Sequence, residues 1–431
     1  MKTQKLIYTA ALAIIFAACS NDDNELPQQS KQQAQSIHFV ATINPTNSNG
    51  AKTRTILNDN GTNISVAWKQ GDQIALVHNS TKDIVSVKTV NTDGSATIEG
   101  DITNDADDAD VVLVYPADAV LAAETGTSYT PDYTYISRIQ TQNGTLEYIQ
   151  NYLDGRQGAG KLSFDGNTAS LKANVNMYNS IAIFKLTLKN IDGTNDVSAK
   201  SVKITNQSNT VLTTVTPASG YDNVMYVALP TTATRLKFLV TGSDDKKYFN
   251  MASGLSLGAN FYQSTVKLAT VGDVILSTGK CAKAGTANPV AMIAYLGNGS
   301  ECTNGLAIQL NSDPEYNTWD NAKTLAASLA AVPGGTWRLP SKTDWQNMFI
   351  ACAIISQGDT DSPNNGMQIL GFREKIAATG ISWLSLLYWT STESGSNAWR
   401  VGVYLDGNNA DAYFHEFGPD NTYRILGCLA F

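Results

Sequence analysis

The stretch "IHFVATI", residues 37–43, places Ile37, Phe39, Ala41 and Ile43 on one face of an extended chain, the period-two pattern of a half-buried strand. The same texture recurs outward from it. "SVAWKQGDQIALV" (65–77), "VVLVYPAD" (111–118), "SIAIFKLTLKN" (180–190), "KSVKITN" (200–206), "NVMYVALP" (223–230) and "TRLKFLVTG" (234–242) are further short apolar runs with Gly, Asp and Asn between them. Many short strands at this spacing predict a mostly β chain built from sandwich layers. A break at "GRQGAGK" (155–161) divides them into two sandwiches, residues 37–155 and 156–270. "GAGK" lacks the first glycine and the following Ser or Thr of a phosphate loop, so it reads as a flexible turn. "NDADDADVV" (104–112) has four aspartates but neither the glycine nor the terminal glutamate of a calcium loop, and reads as a solvated turn.

The chain has 431 residues, enough for two or three domains, and a formal net charge of -8 with no basic cluster, which speaks against a nucleic-acid partner. Lys2 and Lys5 precede a short apolar run from Leu6 to Phe16, too short to span a bilayer, that ends in "FAACS" (16–20). Small residues directly before a cysteine resemble the lipobox of bacterial lipoproteins, which implies removal of residues 1–19 as a signal peptide and lipid on Cys19. Residues 20–36, "SNDDNELPQQSKQQAQS", are polar and aperiodic, a flexible tether. Their acidic start resembles the signal that sends some Gram-negative lipoproteins to the cell surface. Four cysteines remain beyond Cys19, namely Cys281, Cys302, Cys352 and Cys428. In an exported segment they predict two disulfides, with three possible pairings. His38, His78 and His415 are scattered, and no spacing makes a zinc site; no cofactor is expected.

Residues 271–431 differ in texture. In "GGTWRLPSKTDWQNMF" (334–349), Ser341 and Asp344 have the spacing of a capping box, and Trp345, Met348, Phe349 and Cys352 follow on one helical face. "WDNAKTLAASLAAV" (319–332) predicts a preceding helix. "LYWTSTE" (387–393), "AWRVGVYL" (398–405), "DAYFHEF" (411–417) and "TYRILGCLAF" (422–431) predict strands, with "DGNN" (406–409) as a turn. Trp337 to Pro340 read as a corner that packs strand against helix.

The order of "IHFVATI", "KTRT", "VAWKQGDQIALV" and "VVLVYPA" resembles fimbrillin-like proteins, the lipoprotein pilins of anaerobic Gram-negative bacteria. The resemblance covers about residues 37–270 and implies two transthyretin-like β-sandwiches. It also implies an Arg-specific protease that removes the first strand, after which a strand from another pilus subunit fills the groove. The matching bond here is Arg54-Thr55, in the turn-like "NSNGAKTRTILNDNG" (47–61). An edge left open in this way invites another strand.

The set "GDV", "WRLPS", "DW", "YWTSTE" and "CLAF" resembles the C-type lectin-like fold of bacterial surface domains. It implies an α+β C-type-lectin-like domain over 271–431, two helices flanking a twisted sheet, and disulfides Cys352–Cys428 and Cys281–Cys302. "RLPS" with a following Trp also occurs in formylglycine-generating enzymes, but these use a pair of reactive cysteines, and Cys428 stands alone near the C-terminus. No Ser-His-Asp pattern or HExxH appears, so no enzyme is expected. The triplets of calcium-dependent lectins are absent too. Ligand candidates are Glu393 and Asn397 in the loop 391–397, Trp399, and Asp406 and Asn408 in the turn.

The combined expectation is a surface-exposed pilus tip subunit or adhesin, held to the outer membrane by lipid before processing, whose C-terminal domain binds a glycan or protein ligand on a host or bacterial surface. The alternative is a cell-surface lipoprotein with the same kind of ligand that never polymerises.

Overall fold

The computed structural model describes residues 36–46, 54–59, 61, 64–132, 137–231, 235–252, 257–258, 260–299, 302–310, 316–352, 367–368, 370–380, 386–406 and 409–431. Cys19, most of the tether, and Asn408 lie outside the described residues. The chain is mostly β, as its alternation predicts.

The first unit is one eight-stranded sheet that closes on itself. Starting from Ser36–Thr46, the strands run through Val175–Asn179, Arg156–Asp165, Asp110–Tyr115, Gln73–His78, Thr81–Val90 and Ala96–Thr103, which returns to Ser36–Thr46; Thr168–Leu171 bridges Ser36–Thr46 and Arg156–Asp165. The alternating face of each strand fills the interior with Phe39, Ile43, Trp68, Ile98, Leu113 and Leu162, among others. The boundary expected at residue 155 is therefore displaced. Arg156–Asp165 is a central strand of the first unit, not a flexible turn, and the unit runs through Asn179. Glycine explains why the sequence disguises this strand. A Cβ at Gly158 would come within 2.6 Å of the Asn176 carbonyl oxygen, and one at Gly160 within 2.5 Å of Val175 Cγ2. Here glycine permits close approach of two strands.

In the second unit, a five-stranded sheet (order Thr141–Gln142, Val211–Val215, Ala199–Thr205, Leu236–Gly242, Lys247–Ala252) faces a three-stranded one (Val224–Pro230, Ile181–Asn190, Phe261–Leu268). Leu186, Leu188, Val202, Ile204, Phe238 and Val240 pack between them. Thr141–Gln142 joins this unit although it precedes the last strands of the first.

The C-terminal unit contains two six-stranded sheets, where a single twisted sheet was expected. Its helices are Trp319–Ala327, Lys342–Cys352 and Leu370–Ala377, one more than the two expected. The first of these ends five residues before the predicted Val332, with Ser328 as C-cap. The capping box forms: the Asp344 amide donates to Ser341 Oγ at 3.1 Å, and the Ser341 amide donates to Asp344 Oδ2 at 2.7 Å. Trp345, Met348, Phe349 and Cys352 are all buried, so the helix carries its apolar face into the core between the two sheets. Trp337 pairs with Leu429 and donates its indole N–H to the Ala330 carbonyl at 2.9 Å, making the expected corner.

Candidate functional site

Ser36–Thr46 closes the first unit. From Ser36 to Ile43 it pairs antiparallel with Ala96–Thr103, and on its other edge it pairs parallel with His38, Phe39 and Ile43 to Thr46 against two segments of 168–179. Phe39 and Ile43 are fully buried, with Ile37 and Ala41 nearly so. Val40, on the opposite face, is 41% exposed. The strand is thus held by backbone bonds on both edges and by one apolar row.

A charged cluster braces the partner strand. His78 is buried, with Nδ1 3.0 Å from Asp105 Oδ2 and Nε2 2.9 Å from Asp83 Oδ2. Asp83 also accepts the Thr103 amide at 2.8 Å, at the residue that pairs with Ser36. Burial by itself pushes the His78 imidazole down, but its hydrogen bonds to Asp83 and Asp105 outweigh that and hold it above its ordinary value. Burial likewise pushes the Asp83 carboxyl up, and the His78 and Thr103 hydrogen bonds bring it below the usual carboxylate range. The other aspartates of 104–112 are taken by lysines: Asp107 and Asp108 pair with Lys172, and Asp108 and Asp110 with Lys161.

Arg54 and Thr55 open the strand Arg54–Asp59, both opposite Ala67 in the antiparallel strand Ile64–Ala67. The sequence placed this bond in a turn, and the structure places it at the end of a hairpin. That hairpin is anchored on the second unit. Leu57 and Ile64 are buried with Ile149, Ile183 and Tyr226, the Leu57 amide donates to Gln150 Oε1 at 3.0 Å, and Asp59 accepts from Lys185 Nζ and from Tyr226 Oη. Residues on the two sides of Arg54 therefore belong to different cores.

At the other end of the chain, Cys428–Ala430 lies between Gly305–Gln309 and Thr336–Arg338, antiparallel to both. Cys428, Leu429 and Phe431 are fully buried. Phe431 packs against Phe249 of the second unit, ring centroids 4.4 Å apart. Leu239, Phe249 and Met251 share one cluster with Ile293, Trp337, Leu429 and Phe431, which welds the C-terminal unit to the second.

The expected disulfides do not form: all four cysteines are buried thiols. Along Pro289–Leu296, Ala291 and Ile293 face one cluster and Met292 and Ala294 the other. Cys281 belongs to the first cluster and Cys302 to the second, so the sheet itself stands between them, and that bridge is geometrically closed. Cys352 and Cys428 do share a cluster, yet the Cys352 thiol is directed to the Ala294 carbonyl oxygen at 3.3 Å. Burial pushes the Cys281 and Cys352 thiols up to about 12.

The five expected ligand residues do not converge. Glu393, Asn397 and Trp399 lie at one end of the hairpin made by Leu386–Ser394 and Asn397–Asp406, while Asp406 pairs with Asn409 at the far end. Seven residues of strand separate Trp399 from Asp406, about 23 Å. Glu393 is exposed, 3.8 Å from Lys323 Nζ. Trp399 is half-buried, with the Lys342 ammonium 3.8 Å from its ring centroid. The sequence reading missed Lys342, a surface lysine at a helix start with no local mark of this role.

No family model and no curated protein matches the chain. Among solved structures it is similar to a fimbrial protein from Bacteroides ovatus, at 13% identity over 92% of this chain and 99% of that one, with a TM-score of 0.27. It is also similar to a fimbrial assembly protein from Parabacteroides distasonis, at 11% identity over 54% of this chain and 90% of that one, with a TM-score of 0.30.

Proposed function

We propose that this chain is a surface fimbrial subunit or adhesin, lipid-anchored through Cys19 before processing, that accepts a strand from a neighbouring subunit in place of Ser36–Thr46. One observation carries the reading: the closing strand belongs to the first unit's core, while the chain beyond Arg54 is anchored on the second. A cut at Arg54-Thr55 by an Arg-specific protease leaves the hairpin seated and frees only the strand before it. Loss of that strand opens backbone groups on both flanking strands and bares the row that Ile37, Phe39, Ala41 and Ile43 cover. An extended segment of another subunit has the complementary chemistry.

The same reading makes this subunit a poor donor. Cys428–Ala430 is a central strand with a neighbour on each edge and apolar side chains packed on both faces. Two-sided burial takes over the holding role that the sequence assigned to a disulfide. Pulling out Ile425, Leu426, Leu429 and Phe431 costs several kcal/mol. A subunit that accepts but does not donate sits at the fibre tip, where its C-terminal unit, proposed to be lectin-like, meets a glycan or protein ligand.

The runner-up is a cell-surface lipoprotein that never polymerises. It is favoured by the pairing of Arg54 and Thr55 with Ala67, since a protease must first peel that end of the hairpin. N-terminal sequencing of the surface protein separates the two. Thr55 as the new N-terminus, with immunogold label enriched at fibre tips, supports the fimbrial reading. A lipidated, uncut chain refutes it, and label spaced along the shafts refutes the tip position.

A further inference from the structure

We propose that the outer face of the first unit carries a binding groove for a neutral glycan, separate from the C-terminal unit and independent of whether the chain polymerises. The groove arises from a local failure of strand pairing. Gln157 is in register with Tyr178, and Leu162 with Leu171. Between these pairs the neighbouring chain at Lys172 to Asn174 leaves the sheet, and Arg156–Asp165 offers only Gly158, Ala159 and Gly160 there. A depression of about 590 Å³ results, within the range of ligand sites. A smaller cavity of about 150 Å³, walled by Tyr129 and Pro131, shares Gln157 and Ser180 with it and prolongs the groove.

The lining is chemically uniform. Its polar side chains are Gln157, Asn174, Asn176, Tyr178, Asn179 and Ser180, none carrying a formal charge. Each amide offers an acceptor and two donors on a planar group, the complement of neighbouring sugar hydroxyls. Tyr178 is 55% exposed beside them, an aromatic face open to stacking on a pyranose ring. Asn179 Oδ1 is buried and has no hydrogen-bond partner among the described residues, an acceptor left for a donor that the chain does not supply. Acidic sugars find no cation here, because the nearby Lys161 and Lys172 are engaged by Asp107, Asp108 and Asp110.

The test is calorimetric titration of the full chain, carrying Cys19→Ala for solubility, with maltohexaose, cellohexaose and mannohexaose, and with hexagalacturonate as the acidic control. Expected is saturable one-to-one binding of at least one neutral hexasaccharide and none of hexagalacturonate. Tyr178→Ala weakens that binding roughly tenfold. Its side chain is largely exposed, so the variant keeps the parent melting temperature. Trp399→Ala, in the C-terminal unit, leaves the affinity unchanged. Absence of neutral binding, equal binding of hexagalacturonate, survival of binding in Tyr178→Ala, or its loss in Trp399→Ala each overturns the assignment.

Discussion

Removing the closing strand should cost the first unit most of its stability, and a peptide of the same sequence should restore it. The perturbation is cleavage at Arg54 followed by removal of the released segment. Ile37, Phe39 and Ile43 are 6%, 0% and 0% exposed, and Ala41 is 8% exposed. Full burial of an Ile or Phe side chain stabilises by about 1.5–3 kcal/mol, and an Ala methyl adds about 0.8. The row therefore contributes roughly 5–9 kcal/mol, before the backbone bonds on its two edges are counted. That is comparable with the whole stability of an ordinary domain. At about 2 °C per kcal/mol for a unit of this size, even the lower figure lowers the melting temperature by about 10 °C. The assay is differential scanning calorimetry of intact chain, cut chain, and cut chain with a peptide spanning residues 36–46. Alternation gives the control. A peptide with Phe39→Asp should fail to rescue, while one with Val40→Thr, on the exposed face, should rescue fully. An unchanged melting temperature after strand removal, or equal rescue by both peptides, refutes the reasoning.

Other expectations are more local. Phe431→Ala removes a fully buried ring from between two units and should destabilise by about 3–5 kcal/mol in denaturant unfolding, against little change for Ile350→Ala on the surface. His78, with its raised value, stabilises the fold fully below its unfolded pKa near about 6.5, and that contribution fades as pH rises through the folded value. His78→Gln should therefore lose more stability at pH 6 than at pH 9, and an equal loss at both rejects the buried imidazolium. Asp83 has the opposite sign: its contribution is present above about pH 3.8 and disappears as pH falls through its depressed folded value. Peptide mapping without reduction should find Cys281, Cys302, Cys352 and Cys428 unbridged, and alkylation should need denaturant, because all four are buried. Any Cys281–Cys302 bridge contradicts their placement on opposite faces of a sheet. Asp344→Ala should cost about 3–5 kcal/mol, since it strips the cap of Lys342–Cys352 and strands the Arg338 guanidinium.

Strand positions and buried faces were largely legible along the chain. Ile37, Phe39, Ala41 and Ile43 announce their side by alternation alone, and Ser341 with Asp344 announces a helix start by spacing alone. These are local properties, set by backbone geometry and side-chain period within a few residues. The sequence by itself also determined a mostly β chain and a C-terminal unit of different texture.

Partners were decided only by the tertiary structure. Period-two alternation tells which way a side chain points, but not which strand lies alongside, because pairing is a contact between distant segments with no local code. So "GRQGAGK" passed for a turn, although its glycines admit Val175 and Asn176 against a central strand. Cys281 and Cys302 passed for a pair, although one sheet separates them. Trp399 and Asp406, adjacent in a motif, stand at opposite ends of a hairpin. The groove beside Tyr178 had no signature in the sequence either, since it exists only where two strands paired at both ends part in the middle.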